Sequence, residues 1–478
     1  MKAVVLTFDR LPTHLLGCYG NEWTETPGFD RLASLGSVFD QHFAEVPGPV
    51  GPNHSWWTGQ FEYFVEARNG TAGDDRSRSN WLKQLGEAGV KCRLLAENTE
   101  GLPADLFYSS EAVGGVTGLN ARHDDVPIAR LVQRGIEILN NGGGDSQSSD
   151  SVSESTSELL WLHSAGVPSP WLPPRLFAEL YLDELEEIVD GESGSEIASD
   201  LVGQFENDPD LVKLLLSDWR REAEADDDSE GFEKEDDSSV DGAEIDDIDS
   251  PELERQISRL VFAGYVSMID RWLLKLLEAV ESSDEKILFV VSANQGHSFG
   301  ETLDLLPDAG SKTPIYDTDD RASGGVSPGS LSDAEVRTPL LIAEFSRTTE
   351  KAFGRRLSAL VQPVDLAATL EDWLGGGTSE GRHESVGQNL SQALASGAPA
   401  GRSEAFCLGA DGQLGIRSQN WAMVTSVEAL HDEELVHSDV RLFAKPDDQW
   451  DVNDVSSQYH KEVDLLLDLL RKRNPGGH

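Results

Sequence analysis

The chain has 478 residues, 38% of them hydrophobic, which is enough for a large folded core and a smaller second unit. Its 38 lysines and arginines face 86 aspartates and glutamates, giving a formal net charge of -48. A field of this sign repels nucleic acid and anionic membranes, so we expect neither as a partner and instead expect any protein partner to be cationic. Such a charge is equally typical of a surface that only confers solubility.

The cysteines favour a reducing compartment. Cys18, Cys92 and Cys407 are odd in number, far apart and without C-x-x-C spacing, which argues against a disulfide framework. The apolar residues at the N-terminus are too few for a signal peptide. No apolar run approaches the roughly 18 residues that a membrane-spanning helix needs. We therefore predict a cytoplasmic protein.

Strands and helices alternate in the first part of the chain, which is typical of an α/β sheet. The predicted strands are residues 3–9, 90–97 and 159–163, and the predicted helices are residues 29–37, 53–60 and 79–89. Two stretches interrupt this pattern. Residues 140–158 are rich in glycine and serine, and residues 222–249 are mostly acidic, so we predict flexible insertions at both places.

The second part of the chain continues the α/β pattern and then changes. A long amphipathic helix is predicted at 251–280, followed by buried strands at 286–294 and 336–345 and a helix at 363–375. Beyond residue 377 short strands are predicted within 415–426 and 440–457, with a final helix at 459–472.

Several segments of the sequence resemble one known family. HLLGCYGN, TPGFDRLASLGSVFDQHFAEVPGP and HSWWTGQ follow one another near the N-terminus, and YVSMIDRW and PVDLAATLEDWLG follow later. In this order they are similar to the sulfatase branch of the alkaline phosphatase superfamily, and ordered agreement is more specific than one short motif. The resemblance implies an α/β alkaline-phosphatase-like fold, with a large mixed sheet between helices over residues 1–376. It also implies a small C-terminal α+β subdomain over residues 377–478.

The nucleophile of that family is missing at its expected position. Sulfatases carry C-x-P-x-R shortly before a Thr-Gly-Arg turn, and this chain has Thr58-Gly59-Gln60 there. Counting back places the family cysteine at Pro49 and its arginine at Asn53. Since proline has no side-chain nucleophile, the resemblance implies that the usual chemistry does not run.

The metal-binding positions of the family are also altered. Its Asp-Asp pair corresponds to Asp9-Arg10, and its later ligand pair corresponds to Asn294-Gln295. Amide oxygens can bind calcium, but one carboxylate beside a guanidinium gives a poorly charged site for a dication. We therefore regard Asp9, Asn294 and Gln295 as a degenerate metal site. We expect no cofactor, with calcium or magnesium only if the chain is a hydrolase after all.

The groups that hold the sulfate in the family are replaced as well. Glu97 and Thr99 stand where the family has lysine and histidine. The family's Pro-His-x-Pro-Tyr run corresponds to Val167-Pro168-Ser169-Pro170-Trp171, which removes another histidine. Lys312 is the nearest candidate for a late family lysine. A carboxylate at residue 97 would oppose a sulfate ester at that place.

Other residues could supply a different site. Ser55 and Thr58 lie near the predicted helix start, but a helix-start role suits Ser55 better than that of a nucleophile. His54 and His297 could meet near Asp9 and bind a transition metal, although such histidines are more often ordinary surface or core groups.

Four more side chains are given structural interpretations. At least one of Trp56 and Trp57 is expected in the core, while the other could fill the vacated pocket. Cys18 is interpreted as a small buried hydrophobe and His163 as a hydrogen-bonded core residue.

Three hypotheses follow. The first is an inactive sulfatase-like protein with a binding or regulatory role, partnered by an active sulfatase relative or a cationic protein. The second is a hydrolase of sulfate or phosphate esters with a rearranged site around Asp9, Asn294, His54 and His297. The third is a protein without a selected function. A tightly bound metal ion separates the second hypothesis from the first.

Overall fold

The computed structural model describes most of the chain in fourteen stretches. They are residues 1–52, 54–62, 80–118, 120–140, 157–168, 173–178, 180–181, 251–299, 331–347, 353–375, 386–397, 401–409, 412–431 and 439–473. The predicted insertion at 222–249 and nearly all of the one at 140–158 lie outside these residues.

A large mixed sheet of eight strands forms the centre of the fold. Its strands are β1 (Lys2–Arg10), β2 (Ser37–His42), β3 (Lys91–Ala96), β4 (Ser109–Ala112), β5 (Glu158–Gly166), β6 (Ile287–Gln295), β7 (Leu340–Phe345) and β8 (Arg355–Val361). They lie side by side in the order β4-β3-β5-β1-β6-β7-β2-β8. Only β7 runs against its neighbours, because β1, β3, β4, β5 and β6 pair in parallel, as do β2 and β8.

The central strands end together at one edge of the sheet. In the parallel register, Phe8 of β1 lies opposite Ser164 of β5 and Ala293 of β6. Asp9 follows in β1 and Asn294 follows in β6, while in β5 the polar residues at this level are His163 and Ser164. This carboxyl edge is where α/β sheets place their ligand sites. The side chains of the candidate site lie along it or in the loops next to it.

Helices cover both faces of the sheet. The helices are α1 (Pro27–Leu35), α2 (Ser55–Thr58), α3 (Trp81–Glu87), α4 (Pro127–Asn140), α5 (Arg175–Ala178), α6 (Pro251–Ser282), α7 (Asp333–Val336), α8 (Pro363–Trp373), α9 (Ser391–Ser396), α10 (Val427–His431) and α11 (His460–Arg473). The α6 face is the side on which Val4, Leu6 and Phe8 of β1 pack with α1, α4 and α6. The α2 face is the side on which Ala3 and Val5 pack with α2, α3, α8 and α9.

One buried carboxylate joins two helices of the α6 face. Asp270 of α6 accepts hydrogen bonds from the backbone N–H groups of Gly28 and Phe29, at 2.9 and 2.8 Å, at the start of α1. Pro27, at the first position of α1, has no N–H that would need a partner. Burial raises the pKa of Asp270 to about 7, and the two backbone N–H groups act against that shift.

A separate antiparallel sheet lies near the C-terminus. It contains β9 (Glu404–Leu408), β10 (Gln413–Ser418), β11 (Trp421–Ser426) and β12 (Arg441–Ala444), in the order β12-β11-β10-β9. Apolar residues of β10, β11 and β12 pack against Val463, Leu466, Leu467 and Leu470 of α11. This arrangement and the large mixed sheet confirm the predicted fold class. The boundary at residues 376 and 377 stays a prediction.

The elements that sequence patterns did not predict are mostly at the edges. They include α4, the edge strands β4 and β8, and β2, which lies next to β8. The predicted segment 415–426 is a hairpin of two strands, since Ser418 to Trp421 form its turn. Among the helices of the described residues, none has both the length and the apolar composition to cross a bilayer.

Candidate functional site

Asp9 and Asn294 lie next to each other on the α2 face, at the carboxyl edge of the sheet. They follow Phe8 and Ala293, which are register partners in the parallel strands β1 and β6. Odd-numbered residues of β1 and even-numbered residues of β6 face α2, since side chains alternate along a strand. The two retained positions of the predicted metal site are therefore neighbours.

Both side chains hold the loop that leads into α2. The Oδ1 of Asp9 accepts a hydrogen bond from the backbone N–H of Val50 at 2.8 Å. The Nδ2 of Asn294 donates to the carbonyl oxygens of Val46 at 3.0 Å and Gly48 at 2.9 Å. Pro49 lies between these contacts and is exposed. The residues at the family's ligand positions thus bind the backbone around the family's nucleophile position.

His54 completes this hydrogen-bonded group. Its Nδ1 accepts the backbone N–H of Trp56 at 3.2 Å, as an N-cap of α2, so its Nε2 carries the proton and donates to Asn294 Oδ1 at 2.7 Å. Burial lowers the pKa of His54 to about 4, although the Asn294 hydrogen bond opposes this shift. His54 is therefore neutral at neutral pH, with both ring nitrogens bound.

His163 stands beside Asp9. Its Nε2 is 3.4 Å from Asp9 Oδ1, and its Nδ1 is 3.0 Å from the hydroxyl of Thr7. The same hydroxyl accepts a hydrogen bond from the indole of Trp161 at 2.9 Å. These contacts agree with the hydrogen-bonded core role expected for His163, but no sequence pattern indicated Asp9 as its partner.

Trp56 and Trp57 are both fully buried. The ring of Trp57 is 4.6 Å from that of Trp161, and the ring of Trp56 is 4.4 Å from that of His54. Both rings also lie within 6.4 Å of the His163 ring. Aromatic bulk therefore packs directly beneath the polar group of Asp9, His54 and Asn294, and both tryptophans belong to the core.

Ser55 is fully buried at the start of α2. Its neighbour is Glu45, a buried carboxyl whose pKa burial raises to about 7, while the N–H of Glu62 and the Ser55 hydroxyl act in the opposite direction. Sequence patterns did not single out Glu45, although it lies within one of the segments that resemble the family. A serine with no exposed surface is not accessible to an ester substrate, so the structural interpretation of Ser55 is favoured.

Glu97 follows β3 and turns its carboxylate toward the end of β5. It accepts hydrogen bonds from Ser164 Oγ at 2.6 Å and from the backbone N–H of Ala165 at 3.1 Å. Burial raises the pKa of Glu97, and these two hydrogen bonds oppose the shift. The residue at the family's lysine position therefore binds the protein itself.

Arg10, Gln295 and His297 lie on the α6 face. The Nε2 of Gln295 donates to Glu335 at 2.8 Å, and the His297 ring stacks on Phe262 of α6 at 4.8 Å. His54 packs on the other face, against Trp56. The structure therefore does not bring His54 and His297 together beside Asp9 as predicted, because neighbouring strand residues point to opposite faces.

The residues present do not fit a calcium or magnesium ion. Asp9 and Asn294 are the two predicted ligands that lie together, and each already binds backbone groups of the loop. Gln295 is on the other face, opposite Arg10 in the strand register, and its amide already donates to Glu335. Within the described stretches, no group of three or more His, Cys, Asp or Glu side chains has an arrangement suited to a metal ion.

Of the remaining predicted positions, three lie outside the described residues and two have structural roles. Asn53, Ser169 and Lys312 lie outside the described residues. Thr58 ends α2, and its hydroxyl donates to local carbonyl groups, which indicates a structural role. Cys18 is partly buried and lies near Arg356, and burial raises its pKa to about 12, consistent with an unreactive thiol.

The comparisons with solved structures place this arrangement among known folds. The sequence matches no protein-family profile and no curated protein. BT4656, solved in complex with its substrate D-glucosamine-2-N,6-O-disulfate, superposes with a TM-score of 0.63 and 17% identity, covering 100% of this chain and 99% of its own. BT1596, described as a 2-O GAG sulfatase, gives 0.60 and 13%, with coverage of 99% and 91%.

A third similar structure has a different activity. The phosphonate monoester hydrolase of Agrobacterium radiobacter gives a TM-score of 0.58 and 15% identity, covering 98% of this chain and 95% of its own. At such identities the likeness concerns the fold, because one fold hosts many activities. The chain has, over its full length, the fold shared by sulfatases and phosphonate monoester hydrolases of the alkaline phosphatase superfamily.

Proposed function

We propose that the chain is a sulfatase-family protein that does not hydrolyse sulfate esters and instead has a binding or regulatory role. Its main support is the hydrogen bonding of Asp9 and Asn294, which hold the loop around Pro49. In this arrangement the family's ligand positions stabilise a backbone conformation, and no side chain at residue 49 can attack sulfur.

Each chemical requirement of ester hydrolysis supports the same proposal. A nucleophile needs an adjacent base or a metal ion, and Ser55, the nearest hydroxyl, is fully buried. Transition-state charge needs cations or donors aimed at the ester oxygens. At residue 97, in contrast, a carboxylate accepts hydrogen bonds from the end of β5.

Turnover and metal binding can be measured on the same preparation. We expect no release of nitrophenol from 4-nitrophenyl sulfate, from the phosphate ester or from a phosphonate monoester, with or without calcium, magnesium or manganese. Elemental analysis should find no stoichiometric metal, and calorimetric titration should find no tight calcium or magnesium site. Turnover of any of these esters, abolished by Asp9→Ala, would contradict the proposal.

A hydrolase with a non-standard site is the second candidate, and one contact favours it. Asp9 keeps 28% of its side chain exposed and lies 3.4 Å from His163, so this pair could act as a general base for an attacking water. If so, the His163→Gln and Asp9→Asn variants would lose activity together. Equal activity of these variants and the unmodified chain would exclude the pair as the source.

The partner and the compartment are part of the same proposal. The net charge of -48 favours a cationic protein, or an active relative of the same fold with a basic surface. Three free cysteines suit the reducing cytoplasm, as proposed from the sequence. Such a complex should weaken steeply as salt is raised, which analytical ultracentrifugation at two ionic strengths would measure.

A further inference from the structure

The α6 face carries polar atoms without partners at the same edge of the sheet. Arg10 ends β1 and is partly buried. Its Nε is buried and has no hydrogen-bond partner among the residues that the structure describes. This is unusual in a chain with 86 acidic residues, since a buried guanidinium normally binds a carboxylate or carbonyl group.

His14 lies four residues further along, in the 3-10 turn Thr13–Leu15 that follows β1. Both of its ring nitrogens are buried and lack a hydrogen-bond partner within the described part of the chain. An imidazole carries at least one N–H in every protonation state, so His14 has an unbound donor at any pH. Its ring packs against Phe299 at 6.1 Å and Trp450 at 5.8 Å.

Arg259 of α6 is the third member of this group. Its Nε is also buried and unpartnered in the described stretches, and its guanidinium lies 5.8 Å from the ring of Trp23. Burial, and after it the charge of Arg259, lowers the pKa of His14 to about 3. Burial, Arg10 and His14 lower the pKa of His297. Phe262, one turn from Arg259 on α6, contacts the His297 ring at 4.8 Å and the Phe299 ring at 5.1 Å, and Phe299 packs on His14. Arg10 lies opposite Gln295, two residues before His297, so the four residues share one region of the α6 face.

A carboxylate beside His297 already has hydrogen-bond donors. Glu335 lies 3.9 Å from His297 Nδ1, but its two oxygens accept hydrogen bonds from Gln295 Nε2 at 2.8 Å and the N–H of Ser298 at 3.0 Å. Glu335, the carboxylate beside His297, thus already has its own donors, and the group contains two guanidinium ions. A net positive charge with unbound N–H groups matches the chemistry of an oxyanion.

We propose that Arg10, His14 and Arg259 bind a sulfate or phosphate oxyanion directly, without a metal ion. The guanidinium groups supply charge and the neutral imidazole supplies an N–H donor. The site lies on the α6 face, on the other side of the sheet from Asp9. Of its three residues, Arg10 alone stands at a metal-binding position of the family. This oxyanion site would supply the ligand of the proposed binding role. It rests on that proposal, because the bound ester or anion is not turned over.

Calorimetry on the full chain tests the site. Protein dialysed into a sulfate- and phosphate-free buffer is titrated with sodium sulfate, sodium phosphate and 4-nitrophenyl sulfate, and with sodium chloride at equal ionic strength. We expect saturable binding with one site per chain for at least one of the first two anions, and none for chloride. Binding of the nitrophenyl ester as well would indicate an ester-linked sulfate as the natural ligand; free-anion binding alone would indicate the inorganic ion.

Three variants and one control locate the binding. Arg10→Gln, His14→Phe and Arg259→Gln should each weaken binding about ten-fold or more, because each removes a charged or neutral donor. Arg271→Gln, an exposed arginine on the same helix, should change the affinity by less than about two-fold. Without anion, Arg10→Gln and His14→Phe should melt no lower than the unmodified chain, since they remove unpaired buried groups.

Two results would overturn the site: no saturable binding of sulfate or phosphate, or unchanged affinity in Arg10→Gln and His14→Phe. Nitrophenol release from the ester is a separate readout. Release together with binding that depends on Arg10 would support the site and contradict the proposed lack of activity. Lost binding in the three variants, with no release from any of them, would support both proposals.

Discussion

Two groups of polar side chains lie at the same edge of the sheet, on opposite faces. On the α2 face, Asp9, His54 and Asn294 are bound to one another or to the loop around Pro49. On the α6 face, Arg10 and His14 have buried nitrogen atoms without partners in the described residues. Asp9 and Arg10, neighbours on one strand, thus differ in whether their side-chain polar atoms are bound within the described residues.

The largest effect should come from the core beneath the α2 face. Trp57→Ala removes a fully buried ring that packs on Trp161 at 4.6 Å, and we expect a loss of about 3–5 kcal/mol in the free energy of unfolding. Trp450→Ala, on the other side, removes a ring that is 38% exposed and should cost about 1 kcal/mol or less. Urea denaturation compares the two, and equal losses would contradict the assignment of Trp57 to the core.

Restoring a carboxylate on the α2 face should destabilise it. Asn294→Asp replaces an amide that donates to the carbonyl groups of Val46 and Gly48, so an anion would face two oxygens. We expect a loss of about 2–4 kcal/mol at neutral pH. Asn98→Asp is the matched control: the side chain is exposed and only accepts a hydrogen bond, so the change should stay within about 0.5 kcal/mol. A neutral or stabilising Asn294→Asp would indicate a bound cation at that position.

The buried histidine of the α2 face should make the fold sensitive to acid. His54 has a pKa of about 4 in the folded chain against 6.5 for an exposed histidine, so below pH 6.5 the unfolded state takes up a proton that the folded state does not. The free energy of unfolding therefore falls by up to about 1.4 kcal/mol per pH unit until about pH 4.

His54→Asn keeps an N-cap acceptor and removes this titration. The variant should lose less stability than the unmodified chain between pH 6.5 and pH 4.5, as measured by denaturant midpoints. His460→Asn, at an exposed position, should follow the unmodified chain. Identical acid profiles for His54→Asn and the unmodified chain would exclude the buried neutral state of His54.

The smallest expected effect concerns activity. The double change Pro49→Cys and Asn53→Arg restores the family's nucleophile positions but leaves Arg10, Asn294 and Glu97 unchanged. We expect no arylsulfate turnover above the buffer blank, because neither a metal ion nor cations for the sulfate would be supplied. Turnover that also disappears in the triple variant with Asp9→Ala would show that the existing α2 face still supports catalysis.

Sequence patterns predicted the buried strands and helices well because these have clear periods. Strands β1 and β6 are continuous apolar runs with one polar end, and α8 begins at Pro363 and has apolar spacing. The edge strand β8 was missed because three of its seven residues are polar, and these three are exposed. An edge strand pairs with another strand on one side only, so fewer of its residues need to be apolar and its sequence pattern is weak.

The site was predicted only where residues are close along a strand or aligned with the family. Asp9 and Asn294, which the family resemblance assigns to one metal site, lie together at one edge because parallel strands end together. The separation of Arg10 from Asp9 could have been read from strand alternation. The group of Arg10, His14 and Arg259 could not be predicted from the sequence. Arg259 follows His14 by 245 residues, and no sequence motif links these positions.

The buried arginine of the small sheet has a consequence for how the molecule comes apart. Arg417 of β10 donates to Asp333 Oδ1 and to the carbonyl oxygen of Leu331, both at 2.7 Å, and the N–H of Asp333 donates to Asp451 at 2.6 Å. Opening the small sheet alone would leave these charges buried without partners. Amide hydrogens of β10 should therefore exchange through the same global opening as those of β6, and the two sheets should unfold in a single transition.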